Sequence, residues 1–198
     1  YHYLKKYKCW QGPAVRNIYT THVLDRVAES FGEKCYEVPV GFKYISAKMN
    51  EMDAVIGGES SGGLTVRGHI KGKDGIYAAM LLVEMIAASG RKLSQLVADL
   101  EAEYGRIDME ERDYRFDQET KERISHILLE EKKLPELPFA VEKVSYLDGS
   151  KVYFKNGGWV IARFSGTEPL LRIFCEMPKP KDAANICGIY ERFLGLGR

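Results

Sequence analysis

The sequence predicts an α/β domain with a helix-covered, mixed or parallel sheet, followed by an α+β domain with an antiparallel sheet. In the first half of the 198-residue chain, short strand-like runs alternate with helical patterns, which is typical of a parallel sheet covered by helices. After Arg106 the order changes to a charged stretch, a helix, two prolines and several strand-like runs. We place the boundary between residues 105 and 112, and assign 1–106 to the first domain and 107–198 to the second.

The first domain is predicted to begin in a helix, because residues 1–7 have the pattern of the last turns of a helix that starts upstream. Apolar residues then recur at helical spacing over 23–31, with Thr20 or Thr21 as the N-cap and Gly32 as the stop. A short helix is also predicted over 42–50. The predicted strands are 14–19, 35–40 and 53–56, the last running directly into a glycine-rich loop.

Two capped helices are predicted to close the first domain. Asp74 is the N-cap of a helix that ends at Gly90. Ser94 is the predicted N-cap of a second helix, which ends near Gly105.

The second domain is predicted to open with a helix over 117–132 and to continue as an antiparallel sheet. Asp148-Gly149 lies between two strand-like runs and is a strong hairpin signal. A last helix begins at Asp182 and places Ile186, Ile189, Tyr190 and Phe193 on one face. The predicted strands are 141–147, 151–155, 159–164 and 170–176.

Composition excludes several classes of function. Hydrophobic residues make up 45% and charged residues 29%, which is typical of a soluble globular protein. The 29 basic and 28 acidic residues leave a net charge of +1, so we expect neither a nucleic acid nor a membrane partner. The four cysteines have no Cys-x-x-Cys spacing and no clustered histidines, which disfavours a zinc site or a disulfide framework. A reducing cytoplasm fits this pattern best.

The sharpest motif is Arg163-Phe-Ser-Gly-Thr-Glu-Pro169, which lies between two predicted strands. The hydroxyls of Ser165 and Thr167 and the backbone N–H groups around Gly166 can converge on one phosphate. The Arg163 guanidinium can add a charge-assisted hydrogen bond to the same group. Because these residues supply donors and no compensating anion, we expect an electropositive, mobile loop that a phosphate orders.

The neighbours of this motif have less specific roles. Phe164 lies on the opposite strand face from Arg163, so it can pack inward while the arginine faces the site. Glu168 would repel a phosphate and can instead orient an arginine, and Arg172 is either a ligand or a partner in a surface ion pair. The alternative for the whole turn is an ordinary β-turn ended by Pro169.

A second motif, Gly57-Gly-Glu-Ser-Ser-Gly-Gly63, follows a predicted buried strand. The Glu59 carboxylate can accept hydrogen bonds from two vicinal sugar hydroxyls, and the Ser61 hydroxyl can donate or accept. This pair could therefore read one edge of a hexose. The alternative is a plain glycine- and serine-rich connector.

Together the two motifs resemble loops of the α-D-phosphohexomutases, the superfamily of phosphoglucomutases and phosphomannomutases. Residues 163–169 resemble its phosphate-binding loop and residues 58–62 its Gly-Glu-x-Ser-Gly sugar loop, although many members have Glu where this chain has Ser60. The resemblance runs from about Gly12 to the end. It implies a parent of four domains, of which this chain holds most of the third and all of the fourth, a domain with a TATA-binding-protein-like fold.

The resemblance also implies site residues and a reaction. A phosphoserine elsewhere donates phosphate to a hexose phosphate, and the bisphosphate reorients and returns its other phosphate, which interconverts hexose 1- and 6-phosphates. Lys43, His69 and Lys73 would be basic groups near the substrate, each with a solvated or structural role as the alternative. The implied sugar-binding residues are Glu59, Ser61, Lys43 and His69, and the implied phosphate-binding residues are Arg163, Ser165, Gly166, Thr167 and Arg172.

The family's nucleophile and metal motifs, a Ser-His-Asn-Pro-like loop and an Asp-Gly-Asp-Gly-Asp-type triad, do not occur in this sequence. The only Ser-His pair, Ser125-His126, falls within an amphipathic helix. We therefore expect no catalytic or metal-binding residue in this chain. The resemblance implies Mg²⁺ in the full-length parent, glucose 1,6-bisphosphate as activator, and the preceding domains of the same polypeptide as partners. The alternative function is a stand-alone sugar-phosphate-binding module without catalysis.

Overall fold

The computed structural model describes residues 1–197, and the chain divides into two compact units, Tyr1–Arg106 and Ile107–Arg198. The first unit contains a mixed sheet covered by helices, and the second contains an antiparallel sheet with helices. The predicted fold class, an α/β domain followed by an α+β domain, is confirmed.

The sheet of the first unit has four short strands in the order β2-β1-β3-β4. β1 is parallel to both β2 and β3, whereas β4 is antiparallel to β3. The carboxyl ends of β1, β2 and β3 therefore lie at the same edge of the sheet, where loops can carry polar groups. The strands are β1 Ala14–Asn17, β2 Cys35–Val38, β3 Ile56–Gly58 and β4 Leu64–Val66.

Helices cover both faces of this sheet. On one face Ile45 and Met49 pack with Val15, and an added Cβ on Gly57 would collide with both side chains, so this strand position requires glycine. On the other face Leu4 packs with Val55, among other residues. The helices are α1 His2–Lys6, α2 Val23–Ser30, α3 Phe42–Met52, α4 Gly75–Ser89 and α5 Leu93–Tyr104.

One face of α4 is apolar and exposed. Tyr77, Leu81 and Met85 pack towards the sheet, but Ile76 is 78% exposed and Val83 is 67% exposed. The helix carries a single charged residue, Glu84. A helix that is apolar around most of its circumference is typical of the interior of a larger protein.

The second unit contains a five-stranded antiparallel sheet in the order β5-β9-β8-β7-β6. One face of this sheet packs against two helices around Ile124, Leu128, Ile186 and Tyr190, all almost fully buried. The strands are β5 Asp108–Arg115, β6 Val141–Ser145, β7 Ser150–Phe154, β8 Trp159–Phe164 and β9 Leu170–Met177. The helices are α6 Gln118–Ser125, which continues as a π-helical segment over His126–Glu130, and α7 Pro180–Leu194.

The charged stretch after Arg106, for which no element was predicted, forms the edge strand β5. Its sequence lacks apolar alternation because Arg112 stands at a partly buried position. There it pairs with Glu191 of α7 at 2.8 Å and with Glu110 at 2.9 Å. Ion pairing replaces the hydrophobic contact that sequence patterns detect, and charged residues are common on edge strands.

Several predicted helix starts were wrong by a few residues. α2 has His22 as its N-cap. Thr20 instead donates to Asn17 Oδ1, and Thr21 Oγ1 accepts from the Val23 N–H. α5 begins at Leu93 after Lys92, so Ser94 lies inside it. The prediction of Asp74 and Gly90 as the caps of α4 is confirmed.

Two other predicted boundaries were also displaced. The strand predicted at 53–56 begins at Ile56, because Asp53 ends α3 in a left-handed conformation with φ 48°. The last helix begins at Pro180 rather than at Asp182, since proline is favoured in the first turn, where its missing N–H has no intrahelical acceptor.

Within residues 1–197, no helix is long and apolar enough to cross a membrane. Cys9, Cys35, Cys175 and Cys187 are all free thiols.

Candidate functional site

The loop between β3 and β4 is a tight turn at the carboxyl end of β3. The Glu59 N–H donates to the Gly63 carbonyl, and the Gly62 N–H donates to the Glu59 carbonyl, both at 2.9 Å. Gly62 has a φ of +89°, which a side chain would strain. The turn holds the Glu59 side chain at the sheet edge and leaves Ser61 exposed at its tip.

The Glu59 carboxylate is held at both oxygens. Its side chain is 7% exposed, and Lys73 Nζ donates to Oε2 at 3.1 Å. Asn17 Nδ2 donates to Oε1 at 3.4 Å from the end of β1. The Tyr19 N–H and the Thr20 hydroxyl donate to Asn17 Oδ1 at 3.0 and 2.9 Å, and this fixes the Asn17 amide with its NH₂ group facing Glu59.

The aliphatic stem of Lys73 lies directly over Gly63. The three heavy atoms nearest to a Cβ added at Gly63 all belong to the Lys73 side chain. The Lys73 ammonium also lies 5.8 Å from the ring centre of Phe42, at the start of α3. Gly63 therefore leaves the space through which Lys73 reaches Glu59.

His69 and Lys43, two of the predicted sugar-binding residues, have other contacts. His69 Nε2 donates to Asp74 Oδ2 at 2.9 Å, and its ring stacks on Tyr77 at 4.0 Å between ring centres. The Tyr77 N–H first, and then His69, lower the pKa of the Asp74 carboxyl. Lys43 lies over the Tyr44 ring at 4.9 Å and makes no described contact with Glu59.

The turn after β8 presents the polar groups that the sequence indicated. The Ser165 N–H donates to the Leu170 carbonyl at 2.7 Å, and the Thr167 N–H approaches Ser165 Oγ at 3.4 Å. Gly166 is exposed, and apart from its two neighbours in the chain no residue lies within 4 Å of a Cβ added there. The turn borders a hollow of about 310 Å³ lined by Phe116, Asp117, Gln118, Lys121, Ser165, Gly166, Thr167, Glu168 and Pro169.

Arg163 and Arg172 have carboxylate partners, so the expectation of a loop without compensating anions was wrong. Arg163 Nε donates to Asp148 Oδ1 at 2.8 Å. Arg172 Nη2 donates to Glu168 Oε2 at 3.0 Å, and its Nε lies 3.6 Å from Asp113. Glu168 thus orients an arginine, the role that the sequence analysis favoured.

Phe164 packs inward, as predicted. It contacts Phe116 edge to face at 5.2 Å between ring centres, at the border of the core of the second unit.

Sequence reasoning missed three residues at these sites. Asn17 was part of a predicted strand, and only the parallel pairing of β1 with β3 brings it to Glu59. Asp148 was interpreted only as a turn residue. Lys121 lines the hollow from α6 and had no sequence signal beyond its charge.

Within residues 1–197, no group of three or more His, Cys, Asp or Glu side chains could hold a metal ion. The residues described do not fit a magnesium site. Ser125-His126, the only Ser-His pair in the sequence, has a structural role. Ser125 is the last residue of α6, and His126 Nδ1 lies 2.8 Å from a carboxylate oxygen of Glu130.

Comparison with known families finds two matches along the chain. Residues 1–104 match the family model "Phosphoglucomutase/phosphomannomutase, alpha/beta/alpha domain III". Residues 126–188 match "Phosphoglucomutase/phosphomannomutase, C-terminal domain".

Individual proteins agree with these matches. The chain is 32% identical over 172 residues to a phosphoglucomutase/phosphomannomutase of Thermococcus kodakarensis, covering 87% of this chain and 35% of that protein. It is 31% identical over 177 residues to a phosphoglucosamine mutase of Solibacter usitatus, covering 87% of this chain and 35% of that protein. The chain therefore spans about a third of the length of these curated relatives.

Solved structures have the same fold. A crystal structure described as a phosphomannomutase from Thermus thermophilus superposes with a TM-score of 0.76 at 28% identity, covering 98% of this chain and 39% of that one. An N-acetylphosphoglucosamine mutase of Aspergillus fumigatus superposes with a TM-score of 0.64 at 13% identity, covering 94% of this chain and 39% of that one. That enzyme was solved with GlcNAc-6P and magnesium, and a variant of it with glucose 1,6-bisphosphate.

Proposed function

Because the chain belongs to the phosphoglucomutase/phosphomannomutase family, we propose that it is the recognition half of a phosphohexomutase. The complete polypeptide would interconvert hexose 1-phosphate and hexose 6-phosphate through a bisphosphorylated intermediate. The loop of the first unit would orient the sugar, and the loop of the second unit would hold the phosphate that is not being transferred.

The observation that carries this proposal is the turn at 165–167. The hydroxyls of Ser165 and Thr167 and the N–H of Gly166 stand together on a turn, beside a hollow that Lys121 also lines. Such a cluster of donors is suited to phosphate oxygens. Arg163 lies two residues before Ser165 and is oriented by Asp148, so its guanidinium would contribute a fixed positive charge to the phosphate site.

Glu59 supports the sugar half of the proposal. A carboxylate that is 7% exposed and fixed at the edge of a sheet has a defined orientation, and its lone pairs can accept from neighbouring hydroxyls of a hexose. Ser61 is exposed on the same turn and would add a hydroxyl. Lys43 and His69 would act at the periphery, because His69 is already bonded to Asp74.

Further parts of the same polypeptide would supply the chemistry. The phosphoserine and the Mg²⁺ ligands would lie outside these residues, and glucose 1,6-bisphosphate would be the activator. Two facts support such additional domains: the curated relatives are about three times as long, and the outer face of α4 is apolar and exposed. The four free thiols support a reducing, cytoplasmic setting.

Titration of the isotopically labelled chain with glucose 1-phosphate, glucose and inorganic phosphate tests this proposal by NMR. We expect glucose 1-phosphate to shift the amides of 59–63 and 165–167 saturably. Inorganic phosphate should shift only 165–167. If none of these amides responds to glucose 1-phosphate, the proposal is wrong. Binding by the chain, together with a complete polypeptide that binds but never turns over, would instead favour a sugar-phosphate-binding module.

A further inference from the structure

The hollow beside the turn at 165–167 contains a cation that the loop motif does not supply. We propose that Lys121, on α6, is a further phosphate-binding residue, whose ammonium contacts the phosphate held by this turn. The inference rests on the proposed function and deepens it, because it adds a ligand from a different element of the second unit.

The start of α6 is attached to both ends of the turn. The Phe116 N–H donates to the Pro169 carbonyl at 3.4 Å, at the end of the turn. The Phe116 ring packs on Phe164, just before the turn, with 5.2 Å between ring centres. Lys121 lies about one helical turn into α6 and lines the hollow together with residues 165–169. The packing of α6 therefore places this lysine beside the turn, although 44 residues separate Lys121 from Ser165 in the sequence.

The charges in the hollow favour an anion. The two carboxylates that line it are already engaged: Asp117 Oδ1 accepts from the Thr120 N–H at 2.8 Å, and Glu168 Oε2 accepts from Arg172 at 3.0 Å. Lys121 is exposed, and among the described residues 1–197 its side chain has neither a hydrogen bond nor an ion pair. An anion entering the hollow would consequently meet an ammonium whose charge no neighbouring carboxylate offsets by direct contact.

Lys121 and Arg163 flank the turn from opposite sides. Arg163 is not one of the residues that line the hollow, and strand alternation puts its side chain on the face of β8 opposite to Phe164. The start of α6 packs on the Phe164 side. A phosphate at the tip of the turn would therefore have a guanidinium fixed by Asp148 on one side and a flexible ammonium on the other.

A matched set of variants tests the role of this charge. Lys121→Met keeps the length of the side chain and removes the charge, whereas Lys121→Arg keeps a positive charge. The control is Lys181→Met, which removes an exposed lysine from the first turn of α7. The turn precedes Leu170 and Lys181 follows Met177, so the length of β9, about 25 Å, separates them. That separation exceeds twice the screening length of about 10 Å in 0.1 M salt.

The experiment is an NMR titration of each labelled variant with inorganic phosphate and with glucose 1-phosphate, following the amides of 165–167. We expect Lys121→Met to weaken both ligands by the same factor, about 3- to 10-fold, because the lost contact is to the phosphate that they share. Lys121→Arg should restore most of the affinity, and Lys181→Met should bind like wild type. A loss confined to glucose 1-phosphate would mean that Lys121 contacts the sugar, and would overturn the inference. Equal affinities in Lys121→Met and Lys181→Met would also overturn it.

Two further measurements separate direct contact from an effect on the fold. The Cε methylene signals of Lys121 should shift with the same affinity as the amides of 165–167, and those of Lys181 should not. Lys121→Met should keep the Tm of wild type, since an exposed side chain without partners is replaced. A lowered Tm would attribute the lost affinity to the packing of α6 and refute the direct contact.

The outcome for the wild-type chain distinguishes this inference from the proposed function. If phosphate shifts the amides of 165–167 but leaves the Lys121 methylene signals unchanged, the phosphate site stands and the role of Lys121 is refuted. If neither ligand shifts those amides, the phosphate half of the proposed function is wrong, and the inference is wrong with it.

Discussion

Arg163 Nε donates a 2.8 Å hydrogen bond to Asp148 Oδ1, which joins β8 to the turn between β6 and β7. Gly149, the next residue of that turn, lies so close to β8 that a Cβ added to it would be 2.7 Å from the Ala162 carbonyl oxygen. The turn therefore packs against β8 and brings the carboxylate to the guanidinium. The arginine is oriented before any phosphate arrives.

Arg163→Ala should weaken phosphate or hexose phosphate binding by about 1.5–3 kcal/mol, the usual contribution of a hydrogen bond to a charged group. Lys at this position should restore only part of the loss, because an ammonium lacks the planar fork that pairs with both Asp148 and an anion. Arg172→Ala should cost less, because two carboxylates, Glu168 and Asp113, lie near its guanidinium and offset its charge. Calorimetric titration at fixed salt measures these differences.

The control for this series is Arg192→Ala, which removes an exposed arginine from α7. Its affinity should equal that of wild type. If Arg163→Ala and Arg192→Ala give the same affinity, the turn at 165–167 is an ordinary β-turn.

Gly149→Ala should destabilise the second unit by roughly 2–4 kcal/mol. The residue has a φ of +97°, and its Cβ would meet the backbone of β8, which cannot move aside as a flexible side chain can. Gly166→Ala is the matched control, because no atom lies near its Cβ. Denaturant unfolding should show a large loss for the first variant and almost none for the second; comparable losses would contradict the packing of the turn.

Glu59→Ala and Ser61→Ala should each reduce sugar recognition by about 1–3 kcal/mol, as polar contacts with hydroxyls are lost. Ser60→Ala is the control, because Ser60 is exposed on the same turn and does not occupy a matching family position. In the complete polypeptide, kcat/KM for glucose 1-phosphate reports the effect. Wild-type values in both Glu59→Ala and Ser61→Ala would show that this loop does not read the sugar.

The stability of the first unit should depend on the charge of Asp74. The N–H of Tyr77 and the imidazole of His69 hold the pKa of the Asp74 carboxyl below its ordinary value. A carboxyl whose folded pKa is lowered adds stability above its unfolded pKa and loses it as the pH falls through the folded value. The contribution is thus present at neutral pH and disappears below about pH 4.

Asp74→Asn isolates this charge, because asparagine can still accept from the Tyr77 N–H as an N-cap. Tm should be lower than that of wild type at pH 7, and the two should converge in acid. Asp74→Ala should be less stable than Asp74→Asn at every pH. A difference between wild type and Asp74→Asn that stays constant from pH 7 to pH 3 would rule out this electrostatic contribution.

The chain by itself should have no mutase activity, because its sequence lacks the family's nucleophile loop and residues 1–197 offer no cluster for a metal ion. The assay uses glucose 1-phosphate with a trace of glucose 1,6-bisphosphate and Mg²⁺. Turnover that survives repurification, and is lost when Arg163 or Glu59 is replaced, would refute this expectation.

Local signals in the sequence were sufficient to predict much of the fold and both candidate loops of this protein. Asp74 and Gly90 bracket an apolar run, and both caps lie where capping chemistry predicts them, since an N-cap carboxylate and a left-handed glycine depend only on neighbouring residues. Asp148-Gly149 was recognised as a turn for the same reason. The two polar loops were found because the residue types that bind sugars and phosphates are contiguous in each.

Contacts between distant residues were decided only by the tertiary structure. β5 has no apolar alternation, and it becomes a strand because β9 offers it backbone partners and Glu191 accepts from Arg112. Asn17 reaches Glu59 only because β1 lies beside β3, and Asp148 reaches Arg163 only because a turn packs on β8. Such pairs join residues far apart in the chain, and their register follows from the packing of whole strands, which no local pattern encodes.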